Sequence, residues 1–313
     1  MPYRVLVSAP YFLPEIERFR EYFAKYDLEP VIAPVEERLE EDQLLSLVED
    51  VDAVLCGDDR FTARVMDAAP RLKVIAKWGT GIDSIDSAAA ETREIRVCRT
   101  PNAFTHPVAD TVIGYILCFA RNLPFMDRAM KKGEWKKIPG RAMNESVVGV
   151  VGVGAIGTAV LERAAPFGAG LLGYDIREID PTIISATGVE MTSLEDLLKR
   201  SDYVSINCDL TDQSFHMMND KTFALMQNHA VVINAARGPV IDEQALVRAL
   251  ENGDIGGAAM DVFEDEPLPA DSPLRSMDNV MIAPHNSNSS ATAWERVHIS
   301  TLDQLVAALC KSP

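Results

Sequence analysis

The stretch Gly149-Val150-Val151-Gly152-Val153-Gly154-Ala155-Ile156-Gly157 decides how this chain is read. It follows the apolar run Ser146-Val-Val-Gly-Val-Val151 and precedes Thr158-Ala-Val-Leu-Glu-Arg-Ala-Ala165, which is rich in helix formers. Gly152, Gly154 and Gly157 therefore form a G-x-G-x-x-G at a strand-to-helix corner. Gly152 permits the tight turn, Gly154 leaves room for a pyrophosphate against the backbone, and Gly157 lets helix and strand pack closely. The helix start, with Ala155 and Ile156 inside the loop, offers N–H groups and a partial positive charge to phosphates. A second apolar run, Gly170-Leu-Leu-Gly-Tyr174, ends in Asp175, near the ~20-residue offset expected of an acid that bonds a ribose. Such an acid repels a 2′-phosphate, so the pattern predicts NAD as cofactor, with Arg177 close enough to soften that preference.

Working outward, apolar runs alternate with helical patterns on both sides of this corner. Strands are expected at Val147–Val151, Leu171–Tyr174, Tyr203–Ile206, Ala230–Ile233, Gly257–Met260 and Val280–Ile282, six in all, as in a doubly wound dinucleotide fold. The first hundred residues alternate likewise, with strands at Val5–Ala9, Val31–Ala33, Ala53–Cys56, Val74–Lys77 and Arg96–Cys98. Thr100-Pro-Asn102 interrupts the pattern. The fold class expected is α/β, with two doubly wound domains, Rossmann-like and flavodoxin-like, parallel sheets in both, and a cleft between them. Residues 1–100 with 287–313 make the substrate domain, and 101–286 the NAD domain. The final helix, Ser289–Leu309, returns to cover the first domain. The segment Arg121–Ala142 carries Phe125, Met126 and Trp135 among lysines and is expected to be an exposed subunit-contact arm.

Composition narrows the classes. A net charge of −17 argues against nucleic acid or an anionic membrane as principal partner. The five cysteines are scattered without a C-x-x-C, which suits a reducing cytoplasmic compartment and gives no metal signature. No run approaches a membrane span, and the chain opens directly into a strand pattern, so no signal peptide is expected.

Three side chains follow strands of the second half: Arg237 in Asn234-Ala-Ala-Arg-Gly-Pro239, Glu266 in Met260-Asp-Val-Phe-Glu-Asp-Glu-Pro267, and His285 after Ile282-Ala-Pro284. Strand ends of open α/β sheets are where ligands bind. Together these groups supply what reduction of a 2-oxo acid requires: a guanidinium for the carboxylate and carbonyl, an imidazole to exchange a proton, and a carboxylate to orient that imidazole.

These motifs, with Gly79-Thr-Gly-Ile-Asp83, Asp242, Asp261-Val-Phe263 and Pro284-His285, resemble the D-isomer-specific 2-hydroxyacid dehydrogenase family over nearly the whole chain. The resemblance implies that Arg237 binds substrate, that His285 is the acid/base, and that Glu266 is its partner. It implies substrate-carboxylate contacts from the backbone of Trp78, Gly79 and Thr80, with Thr80 also near the cofactor. It places Asp261 near the nicotinamide amide, lines the cofactor with Cys208, Ala235 and Ala236, and implies a homodimer through the NAD domain. The function expected is NAD-dependent interconversion of a small 2-oxo acid and its D-2-hydroxy acid. The alternatives are a 3-phosphoglycerate dehydrogenase and, from another class, an NAD-sensing, corepressor-like binding protein. Ala155 stands where the family often has Arg, and Asn286-Ser-Asn288 where it usually has Gly or Ala after the histidine. Asp58 and Asp59, after a first-domain strand, are expected to face the substrate and repel a phosphorylated one; the alternative is that both turn to solvent or pair with Arg60 and Lys77.

Overall fold

The computed structural model describes residues 1–310, and the chain divides into two compact units: Met1–Phe104 with the chain from Ser290 onward, and Thr105–Ser289. The first holds a five-stranded sheet: β1 (Tyr3–Val7), β2 (Leu28–Ile32), β3 (Ala53–Cys56), β4 (Val74–Lys77) and β5 (Arg96–Cys98). The strands are all parallel in the order β2-β1-β3-β4-β5, the flavodoxin-like arrangement. β3 and β4 are buried at every residue, as strands covered on both faces must be. One face is covered by the helix Ala291–Cys310, which packs on β3 and β4 through residues such as Val297 and Leu305.

The second unit carries seven parallel strands: β6 (Val147–Val151), β7 (Gly170–Tyr174), β8 (Glu190–Met191), β9 (Tyr203–Ile206), β10 (Val231–Asn234), β11 (Gly257–Met260) and β12 (Val280–Ile282). Their order is β12-β11-β10-β9-β6-β7-β8, so the winding reverses between β6 and β9, at the end of the glycine-rich strand. The alternation of side chains along these strands feeds two cores. Val151, Val204, Ile206, Val232 and Met260 pack with Leu197, Leu246 and Phe223 on one face. Val148, Val150, Ile233 and Ala259 pack with Val112, Ile116 and Val160 on the other. Each fully buried aliphatic side chain of this kind contributes about 1.5–3 kcal/mol.

Local differences from the sequence expectation have simple causes. The seventh strand, β8, is two residues long, too short to leave an alternation pattern. β1 lies two residues earlier than expected, because Ser8 and Ala9 already turn back, both donating to Leu55 O. The helical segment after β1 divides into a 3₁₀ stretch, Leu13–Phe19, and an α-helix, Arg20–Lys25. The segment after Arg121 is not all loop: Leu123–Lys131 is helical, with Pro124 in its first turn, where a missing N–H costs nothing. Beyond it Trp135 stands 87% exposed.

Candidate active site

The glycine corner is built as a cradle. Gly152 takes φ +87° and donates its N–H to Tyr174 O at 2.8 Å, tying the end of β6 to the end of β7. A Cβ on Gly152 would meet Cys208 N at 2.7 Å, and one on Gly157 would meet Gly152 O at 2.0 Å, so neither site tolerates a side chain. Above Gly154 the space is open, the nearest atom being Arg177 Nη2 at 3.7 Å from a Cβ position. The helix Ala155–Ala164 starts there without a side-chain cap, and its first ladder bond is Thr158 N–H to Gly154 O. The N–H groups of Ala155, Ile156 and Gly157 thus precede the ladder and suit an anion. A cavity of about 470 Å³ opens beside this corner, lined by Gly154, Ala155, Thr158, Arg177 and Asp180 among others.

Asp175 closes the corner. Its Oδ2 accepts Val153 N–H at 2.8 Å, and its Oδ1 accepts Arg177 N–H at 2.9 Å and Arg177 Nε–H at 3.2 Å. Burial works to raise its pKa, but the bonds from Arg177 and Val153 outweigh this and hold the carboxyl below the ordinary range. It is an anion throughout the neutral range. Ile176, beside it, is 74% exposed, an apolar platform that the sequence reading passed over. An isoleucine directly after a strand-end acid was the available signal. Cys208 is half-buried and its thiol is pushed up to about 11 by burial, which leaves it a packing group rather than a nucleophile.

Arg237, Asp261 and His285 come together through strand register. Asn234, Met260 and Ile282 pair across β10, β11 and β12. Arg237 stands three residues beyond Asn234, Asp261 one beyond Met260, and His285 three beyond Ile282, so all three emerge at one sheet edge. Buried Asn234 braces the arginine loop: its Nδ2 donates to Arg237 O at 2.9 Å and its Oδ1 accepts Ala236 N–H at 3.0 Å. Ala235, Ala236 and Arg237 are all half-buried on this loop, and Arg237 Nη1 donates to Ala236 O. The sequence reading missed this role of Asn234, although an Asn at a strand end before a turn is its usual signature.

His285 has φ +49°, a left-handed conformation uncommon for a residue with a Cβ. The loop is held in it by Asp261. His285 N–H donates to Asp261 O at 2.7 Å, and the fully buried Asp261 carboxylate accepts Asn286 N–H and Ser287 N–H, each at 2.8 Å. The two residues after the histidine thus contribute backbone amides, which any residue type supplies. His285 Nδ1 lies 3.0 Å from Glu266 Oε2, while Glu266 Oε1 accepts Phe263 N–H at 2.9 Å. The imidazole is therefore oriented by a carboxylate that is itself anchored. Asp242 caps the helix Glu243–Asn252 by accepting Ala245 N–H.

In the first unit Trp78, Gly79 and Thr80 follow β4. Trp78 is 4% exposed and donates its indole N–H to His298 Nδ1 at 2.9 Å, and Thr80 Oγ1 donates to Thr100 O. The expectation for Asp59 needs correction. Asp59 is fully buried, accepting Ser8 Oγ–H and Leu39 N–H, and so meets no ligand. Asp58 is more exposed and pairs with Lys77 at 2.9 Å, while Arg60 pairs with Glu40. The two acids thus have different partners, Asp59 bonding Ser8 and Leu39 and Asp58 bonding Lys77. Among the described residues there is no cluster of metal-ligating side chains and no helix long and apolar enough to cross a membrane.

The family model for the NAD binding domain of D-isomer specific 2-hydroxyacid dehydrogenases matches residues 113–287. A glyoxylate reductase of Thermofilum pendens is 40% identical over 275 residues, 86% of this chain and 81% of the relative. A D-3-phosphoglycerate dehydrogenase of Methanocaldococcus jannaschii is 37% identical over 275 residues, 87% of this chain but only 52% of that longer protein. A crystal structure of the D-lactate dehydrogenase of Aquifex aeolicus, complexed with NAD and lactic acid, superposes with a TM-score of 0.87 at 27% identity, covering 98% of this chain and 95% of that one.

Proposed function

The chain belongs to the D-isomer specific 2-hydroxyacid dehydrogenase family, and from that premise we propose that Arg237, Glu266 and His285 run an NAD-dependent interconversion of a small 2-oxo acid and its D-2-hydroxy acid. The observation that carries this is the anchored His285–Glu266 pair on the sheet edge that also presents Arg237.

Gly152, Gly154, Ala155, Ile156 and Gly157 would hold the pyrophosphate of the cofactor, and Asp175 its ribose. Thr80, Cys208, Ala235, Ala236 and Asp261 complete its surroundings. When bound, NADH supplies the hydride and fixes the face from which it is delivered. Arg237 forks onto the substrate carboxylate and polarises the ketone. The family resemblance supports a role for the backbone of Trp78, Gly79 and Thr80 in binding a substrate carboxylate. His285, with its Nδ1–H donated to Glu266, gives a proton from Nε2 to the carbonyl oxygen as carbon is reduced. Glu266 stabilises the imidazolium before the transfer and fixes its orientation. Reduction thus consumes one 2-oxo acid, one NADH and one proton.

Residues 1–100 with 287–313 act in this reading as the substrate domain, and 101–286 as the NAD domain. Trp135, 87% exposed beside Lys136 and Lys137, supports an arm that pairs two copies through the NAD domain. The acidic charge and scattered cysteines support a cytoplasmic enzyme that binds no nucleic acid. Loss of NADH absorbance on addition of glyoxylate, pyruvate or hydroxypyruvate tests the proposal. Tight NADH binding without turnover of any 2-oxo acid favours the sensor alternative.

A further inference from the structure

Lys77 is the last residue of β4, and only 4% of its side chain is exposed. Its ammonium lies 2.9 Å from Oδ1 of Asp58, which follows β3 on the same sheet edge. A Cβ on Gly79 would stand 3.8 Å from Lys77 Nζ and 3.8 Å from the Phe104 ring. The ammonium therefore borders the space over Gly79, in the loop assigned above to the substrate carboxylate. Two neighbours make this a rigid frame. Asp59 is fixed by Ser8 and Leu39, and Trp78, itself within 5.7 Å of Phe104, is held by His298.

A buried ion pair is costly to desolvate, and packed apolar residues in its place are often as stable. Beside a substrate loop walled by Phe104 and Trp78, the pair provides what those rings lack: a donor in Lys77 and an acceptor in Asp58. Its net charge is zero. It therefore complements a neutral hydroxyl, which both donates and accepts, better than a phosphate dianion, which only accepts and would face Asp58.

We propose that the Lys77–Asp58 pair recognises a hydroxyl on the carbon next to the ketone, so that the preferred substrates are 3-hydroxy-2-oxo acids, of which hydroxypyruvate is the smallest. The assignment rests on the dehydrogenase reading and on the Trp78–Thr80 loop as carboxylate site. A site built to bond a hydroxyl discriminates strongly against the analogue that lacks it.

Hydroxypyruvate and pyruvate differ only in that hydroxyl, so the ratio of their kcat/KM values is the readout. The unmodified protein favours hydroxypyruvate by at least about tenfold. The double change Lys77→Met, Asp58→Asn removes both charges together and brings the ratio toward unity. A fluorescence titration with NADH verifies that the variant is folded. A ratio at or below one in the unmodified protein overturns the proposal without any variant. An unchanged ratio in the folded double variant overturns it as well, as does preference for 3-phosphohydroxypyruvate over hydroxypyruvate. NADH binding with no turnover of either acid overturns the dehydrogenase reading and this proposal with it.

Discussion

Trp78 and His298, separated by 220 positions, are joined by one hydrogen bond: the indole N–H donates to Nδ1 of the imidazole at 2.9 Å. That bond requires an unprotonated Nδ1. Burial lowers the pKa of His298, while Glu295 and Glu15 pull it back up and Arg18 pushes it down again. The histidine is thus harder to protonate in the folded state than in the unfolded chain. Its contribution to stability is present above the unfolded pKa of about 6.5 and is lost as pH falls below it, because the unfolded chain then binds the extra proton. Thermal unfolding between pH 7.5 and pH 5 should show a fall in Tm that is smaller in His298→Gln, whose amide oxygen still accepts from Trp78. An identical fall in both proteins would place the acid sensitivity elsewhere.

Cofactor choice follows from Asp175. Its carboxylate is ionised at neutral pH and repels a 2′-phosphate, whereas Arg177 beside it is exposed and attracts one. The carboxylate is the fixed member of the pair, held by Val153 N–H, so NADH should be preferred over NADPH by at least about tenfold, or about 1.4 kcal/mol. Asp175→Ser should narrow the gap. Equal kcat/KM for the two cofactors in the unmodified protein contradicts this.

Much of this arrangement was legible in the sequence, because it is local. The glycine corner, β6, β7 and Asp175 lie within thirty residues, and each is marked by a residue type that only that geometry needs. Arg237 and His285 were legible as strand-end residues. Their shared edge was expected from those strand ends, but the register that aligns β10, β11 and β12 beneath them was not. The different fates of Asp58 and Asp59 were hidden for a related reason. Which side chain turns inward is decided by Ser8, Leu39 and Lys77, all distant in sequence.

Asp59 therefore belongs to the framework and not to selectivity. Asp59→Lys would bury a cation against Ser8 and Leu39 N–H, both donors, and should destabilise the protein by about 3–5 kcal/mol. Urea unfolding measures this. A stable Asp59→Lys protein with altered substrate preference would restore the overturned expectation.

Asp261 holds the His285 loop through Asn286 N–H and Ser287 N–H. Asp261→Ala leaves the buried Ser287 N–H without its acceptor, at about 1–3 kcal/mol, and the more exposed Asn286 N–H at less. At about 2–4 °C per kcal/mol for a domain of this size, the Tm should fall by several degrees. The loss of kcat should exceed what the unfolded fraction explains, since the loop that carries the histidine is released. A Tm within one degree of the unmodified protein, with normal kcat, would show that the loop needs no such anchor.

The central claim is that His285, oriented by Glu266, exchanges the proton that accompanies hydride transfer. Steady-state NADH oxidation with the best 2-oxo acid, measured for the unmodified protein and for His285→Gln, tests it most directly. The account predicts a fall in kcat of roughly 10²–10⁴, the usual scale of acid–base catalysis, with NADH affinity nearly unchanged. A folded His285→Gln enzyme with near-normal kcat would contradict it.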